Sequence, residues 1–142
     1  MTEVKSAITI EQINSCFETM HILRPHLKHE SFVQTIVEMQ KRGYHLIYIE
    51  ENGKTVAASG YRYTEHLAWG KVIYIDDLVT HTEYRKKGFS HQLLDYICNE
   101  AGKKDCDAVH LDSGPSRFDA HKLYHRYGFN ITSHHFALSI KK

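Results

Sequence analysis

Hydrophobic and polar positions change period several times along the chain, and each change marks an element. Residues 6–10 are rich in β-branched side chains and predict a short first strand. Residues 11–22 place Ile13, Phe17 and Met20 on one face, the period of an amphipathic helix. Pro25 then ends it, because the residue before a proline avoids the helical region. Residues 29–41 predict a second helix through Phe32, Val33, Ile36 and Val37, with Gly43 as its stop. The pattern next turns to strand over residues 46–50, 55–63 and 72–80. Asn52-Gly53 between the first two is a hairpin signal, since both residues tolerate positive φ. Leu93, Leu94, Ile97, Cys98 and Ala101 give a further helix that Gly102 closes. Residues 108–111 read as a strand, 118–127 as a short helix, and 129–140 as one or two final strands. The order β-α-α-β-β-β-α-β-α-β implies a mixed α/β (α+β) sheet with helices packed on it.

The chemistry concentrates after the third long strand. Tyr74 to Thr80 runs into a short loop, then Arg85-Lys86-Lys87-Gly88-Phe89-Ser90, then the helix. The first turn of a helix has backbone N–H groups without intrahelical partners, and they carry partial positive charge. Gly88 lets the backbone approach a ligand closely, Ser90 can cap or contact an oxygen, and three cations add attraction. The sum suits a pyrophosphate. A basic turn before a helix is also, often, only a solvated loop.

Two separated motifs narrow the choice. Arg85 to Ser90 has the form R-x-x-G-x-S, preceded by Asp77-Leu78-Val79 and followed by Leu93-Leu94. Beyond it stands Ala120-His121-Lys122-Leu123-Tyr124-His125-Arg126-Tyr127-Gly128-Phe129. Together they resemble the R/Q-x-x-G-x-G/A and A-x-x-L/F-Y-x-x-x-G-F signatures of the GNAT superfamily of N-acetyltransferases. The resemblance covers residues 55–140, and the earlier helices match in layout. The run from Asp112 to His121, with His134-His135-Phe136-Ala137-Leu138, resembles a bacterial subgroup of that superfamily.

The resemblance implies one acetyltransferase domain over residues 1–142, with a mostly antiparallel central sheet flanked by helices. It implies acetyl-CoA as the acetyl donor. The backbone of Leu78, Val79 and Thr80 would take the pantetheine arm as an extra strand would. The N–H groups of Lys86, Lys87, Gly88, Phe89 and Ser90 would receive the pyrophosphate, with Arg85 bracing the turn. Tyr124 would stand near the sulfur, and His121 on the same helix touches coenzyme, substrate or only solvent. Ser90 replaces the commoner third Gly or Ala, and Arg117 stands where many members have Asn.

Acetyl transfer to an amine requires a lost amine proton, a polarised thioester carbonyl and a leaving thiolate. Tyr124 is the candidate general acid, against the alternative of a tyrosine packed on the sheet. Asp76, Asp77 and His135 are candidate bases, with a water relay to a distant carboxylate equally open. Alternate strand residues point opposite ways, so Asp76 and Asp77 face opposite sides unless a bulge intervenes. Tyr61, Tyr63, His66 and Trp69 read as acceptor-pocket lining or as ordinary sheet packing. Arg24, between the first two helices, is an anion-recognising candidate by layout alone. The expected acceptor is a small-molecule or peptide amine. An acyl-CoA sensor of the same fold is the competing expectation.

Composition removes other classes. The chain has 142 residues, 42% hydrophobic and 25% charged, with a formal net charge of +1, which argues against a general nucleic-acid binder. No stretch approaches the ~20 apolar residues of a membrane helix. Three scattered cysteines without a C-x-x-C fit a reducing cytoplasm. Twelve histidines, including His121 and His125 at i,i+4, raise a metal site, but no HExxH or completing ligand spacing is present, so no metal is expected. Pairing of the C-terminal strand between two copies would make a homodimer.

Overall fold

The computed structural model describes residues 3–141. One compact unit ends at Leu111 and a second begins at Asp112. The first holds β1 (Val4–Ser6), α1 (Ile10–Ser15), α2 (Phe17–Leu23), α3 (His29–Lys41), β2 (His45–Glu51), β3 (Lys54–His66), β4 (Gly70–Thr80), α4 (Phe89–Lys103) and β5 (Ala108–Leu111). A 3-10 turn, Thr82–Tyr84, precedes α4. The second holds α5 (Phe118–Tyr127).

The sheet runs β1-β2-β3-β4-β5, antiparallel throughout except for the parallel β4–β5 pair. The expected mixed, mostly antiparallel architecture is therefore present. Asn52 at φ 53° and Gly53 at φ 77° close the β2–β3 hairpin as their turn chemistry predicts. Leu46 and Tyr48 join Phe32, Ile36 and Met20 in a core on the α1–α3 face. Ile47 and Ile49 alternate to the opposite face, and α4 supplies buried Leu93, Leu94, Ile97 and Ala101.

Three expectations change. The first strand lies earlier, because Thr9 and Gln12 form a capping box that starts α1 there. The single helix over residues 11–22 is two, broken at the fully buried Cys16. The Ser15 hydroxyl donates to the Gln12 carbonyl at 2.7 Å, the local competition that unsettles a helix interior. The final strands over residues 129–140 are not formed. Phe136, Leu138 and Ile140 keep a period of two, yet all three are exposed (91%, 86% and 84%). A strand requires a ladder partner as well as alternation.

Candidate active site

The site begins with a miscount between two strands. Gly60 of β3 pairs with Asp77, but Tyr61 pairs with Ile75, so Asp76 is one extra residue in β4. Such a bulge bends its strand and re-aims side chains. Here it resolves the question of the two adjacent carboxylates. Both are drawn into one cluster around Tyr44. The Tyr44 hydroxyl donates to Asp77 Oδ2 at 2.7 Å, and Arg24 Nε donates to Asp77 Oδ1 at 3.0 Å. Arg62 donates to Asp76 Oδ2 at 2.8 and 2.9 Å through its Nη2 and Nε, and its guanidinium lies over the Tyr44 ring at 5.3 Å. A second Arg24 nitrogen donates to the Asp76 carbonyl at 2.9 Å. Burial, followed by the charge of Asp77, pushes the Tyr44 phenol well above its usual range, so it stays a donor.

Gly60 makes this cluster sterically possible. A Cβ there would overlap the Tyr44 hydroxyl and ring. Tyr44, Arg62 and Gly60 were not singled out from the sequence. A glycine inside a strand is itself a sign of a bulge or a close approach, and Gly60 is both.

Beyond the bulge, β4 loses one neighbour. β5 pairs with β4 only from Val72 to Ile75, while β4 runs on to Thr80 against β3. Among the described residues, Asp77 to Thr80 therefore has strand pairing on one side only. Leu78 and Val79 keep buried side chains, so it is the backbone edge that is open. An open edge is a template for an extended ligand.

The segment after Thr80 is anchored and then turns. His81 is buried (7% exposed), its N–H donates to the Val56 carbonyl at 2.7 Å, and its Nδ1 accepts from the Glu83 N–H at 3.3 Å. Lys86 and Gly88 take left-handed φ values of 65° and 83° before α4 starts. A Cβ on Gly88 would meet no protein atom within 4 Å, so the space before that backbone is open. Arg85, Lys86, Lys87 and Gly88 are exposed, whereas Phe89 is buried and locks the first turn. The Ser90 hydroxyl lies 2.7 Å from that of Thr80, tying the helix start to the strand end. Lys87 Nζ lies 5.4 Å from the Tyr84 ring centre. An open strand edge ending at an anion-attracting helix start fits a pantetheine arm and its pyrophosphate.

In the second unit, Tyr124 is buried (8% exposed), and burial raises its pKa against the opposing charge of Arg117. Its ring meets Phe129 edge-on at 5.8 Å, after a helix end at Gly128 with φ 125°. His121 is half-buried on the same helix. His135 is exposed, with Nδ1 3.5 Å from Asp112 Oδ2. No group of three or more histidines, cysteines or carboxylates that could hold a metal occurs among the described residues.

Known proteins resemble this chain in sequence and in fold. Residues 9–129 match the model of the acetyltransferase (GNAT) family. The chain is 33% identical over 138 residues to YhdJ, an uncharacterised N-acetyltransferase of Bacillus subtilis (strain 168), covering 96% of this chain and 97% of that one. The fold is that of aminoglycoside N-acetyltransferase AAC(6')-Iy in complex with CoA (TM-score 0.86, 12% identity, 100% of this chain and 96% of that one). It is also that of glucosamine-6-phosphate N-acetyltransferase from Arabidopsis thaliana (TM-score 0.80, 19% identity, 99% of each chain). The chain belongs to the GNAT family of acetyltransferases, and it is an N-acetyltransferase.

Proposed function

We propose that the protein transfers an acetyl group from acetyl-CoA to a primary amine of a small molecule or peptide, by direct attack in a ternary complex. The observation that carries this reading is the β4 edge left open past Ile75 and leading to the Gly88 turn. Leu78, Val79 and Thr80 would hold the pantetheine arm through backbone groups, and the N–H groups from Lys86 to Ser90 the pyrophosphate. Positioning of the two reactants supplies much of the rate.

In the transfer, the amine nitrogen bonds to the acetyl carbonyl carbon as the carbon–sulfur bond breaks. The amine proton passes to a base and the thiolate takes up a proton. Tyr124 is the proposed acid. Its burial supports the role, because a phenol held above its ordinary pKa of 10.0 keeps its proton at neutral pH. Asp77 and His135 are the proposed bases, and they differ in engagement. Both Asp77 oxygens already accept hydrogen bonds, which suits a fixed end of a proton relay. His135, steadied at Nδ1 by Asp112, suits direct uptake. The three free cysteines fit a cytoplasmic location.

Thiol release from acetyl-CoA across a panel of amines tests the reading. Turnover with at least one amine is expected. Acetyl-CoA binding without turnover on any amine would leave only the sensor alternative. Tyr124→Phe is expected to lower kcat by about 100-fold or more with little change in KM for acetyl-CoA. The proton-donor role also predicts a kcat that holds to the alkaline side until the pH passes ~10, since a raised acid pKa preserves the protonated form. An unchanged kcat in Tyr124→Phe would remove the acid assignment. Comparing pH–rate profiles of Asp77→Asn and His135→Ala separates the bases, because only loss of the true base removes the acidic limb.

A further inference from the structure

A second concave site lies at the other end of α4. Glu100 is twelve residues past Gly88, or about 18 Å along the helix at 1.5 Å per residue. Tyr96 and Glu100 stand at i,i+4, on one face of α4. They look onto the β2–β3 pair, where His45 is opposite Tyr61 and Tyr63 lies two residues further along the same face. These residues, with Ser6 and the exposed Lys104, line a cleft of about 470 Å³.

The lining is unusual in chemistry as well as shape. His45 and Tyr61 stack at 5.1 Å and 12°, and Tyr63 meets both edge-on, at 5.4 and 6.0 Å. Tyr96 brings a fourth ring. Glu100 is the one carboxylate in the lining, and its side chain is only 22% exposed. Its nearest ion-pair partner is Lys103 at 3.4 Å, a neighbour on the same helix that is 73% exposed and thus weakly held. Burial lowers the His45 pKa against the opposing charge of Glu100, so the imidazole is neutral at neutral pH. Burial raises the Tyr61 and Tyr63 phenols, so neither ionises near neutral pH.

We propose that this cleft binds an organic ammonium ion, its charge against Glu100 and the rings of His45, Tyr63 and Tyr96, with buried Tyr61 backing His45. Aromatic faces carry negative quadrupole potential, and a partly desolvated carboxylate adds a full charge of the same sign. The lining thus offers a cation both of its usual partners within one open cleft. Lys104 is the one cationic side chain in the lining, and it is exposed. The site is separate from the coenzyme loop, and its occupancy does not depend on acetyl transfer.

The test uses the whole protein and a matched pair of probes, choline and its neutral carbon isostere 3,3-dimethyl-1-butanol. Two-dimensional NMR follows the His45, Tyr63 and Tyr96 resonances during titration. Saturable shifts at these rings with choline are expected, with binding roughly ten-fold or more tighter than the alcohol. Glu100→Gln should weaken choline several-fold and leave the alcohol unchanged. Tyr61 is buried, so Tyr96→Leu is the safer ring variant, and it should weaken choline as well. Absence of saturation at these rings, equal binding of the two probes, or choline binding untouched by Glu100→Gln would each overturn the proposal.

Discussion

From Val72 to Ile75, β4 is paired on both sides, by β3 and by β5. From Asp77 to Thr80 it is paired by β3 alone. The first half is built from Val72, Ile73 and Ile75, all buried. Where the second opens, two carboxylates are held by Arg24, Arg62 and Tyr44. One extra residue, Asp76, marks the boundary. The bulge separates a segment paired on both edges from one whose second edge is open. The charged cluster fixes that distortion, so the edge is held rather than loose.

Substitutions on the two halves should therefore have opposite signatures. Ile73→Ala is expected to cost about 2–5 kcal/mol of folding stability, read by denaturant unfolding, while the acetyl-CoA Kd of the folded protein stays unchanged. Gly88→Trp reverses this. At acetyl-CoA a hundred-fold above its wild-type Kd, the wild type gains about 2.7 kcal/mol in a thermal shift and the variant gains none. An intact shift in Gly88→Trp would remove the loop from the coenzyme site. Tyr44→Phe takes one donor from the Asp77 carboxylate and should cost about 1.5–3 kcal/mol, because hydrogen bonds to charged groups are the stronger kind. If the cluster sets the bulge, that variant also weakens coenzyme binding, a coupling that Ile73→Ala lacks. Lys86→Ala should do least, raising the Kd only a few-fold, as expected when an exposed charge is removed and the backbone is left in place.

The sequence was most legible where local chemistry decides. Asn52-Gly53 names its own turn, α3 and α5 follow an unbroken helical period, and β5 is a short apolar run with clear ends. Gly88, read as a point of close backbone approach, takes φ 83° at the start of α4. What escaped depends on distant partners. The bulge exists only in the pairing of Asp76–Asp77 with Gly60–Tyr61, and neither strand alone shows it. Tyr44 reaches Asp77 across 33 positions of sequence. The break at Cys16 depends on a hydroxyl, Ser15, choosing the carbonyl three residues back. The alternation at Phe136, Leu138 and Ile140 gave the reverse error, a correct strand pattern to which the described chain supplies no ladder.

The central claim is that the β4 edge beyond the bulge accepts the coenzyme as an added strand. Amide hydrogen exchange with and without CoA tests it most directly. Slowed exchange is expected at one or more amides of Leu78, Val79 and Thr80 and at the turn from Lys86 to Ser90, with Val72 to Ile75 unchanged. Saturating CoA that protects other segments and leaves those amides as they were would contradict the account.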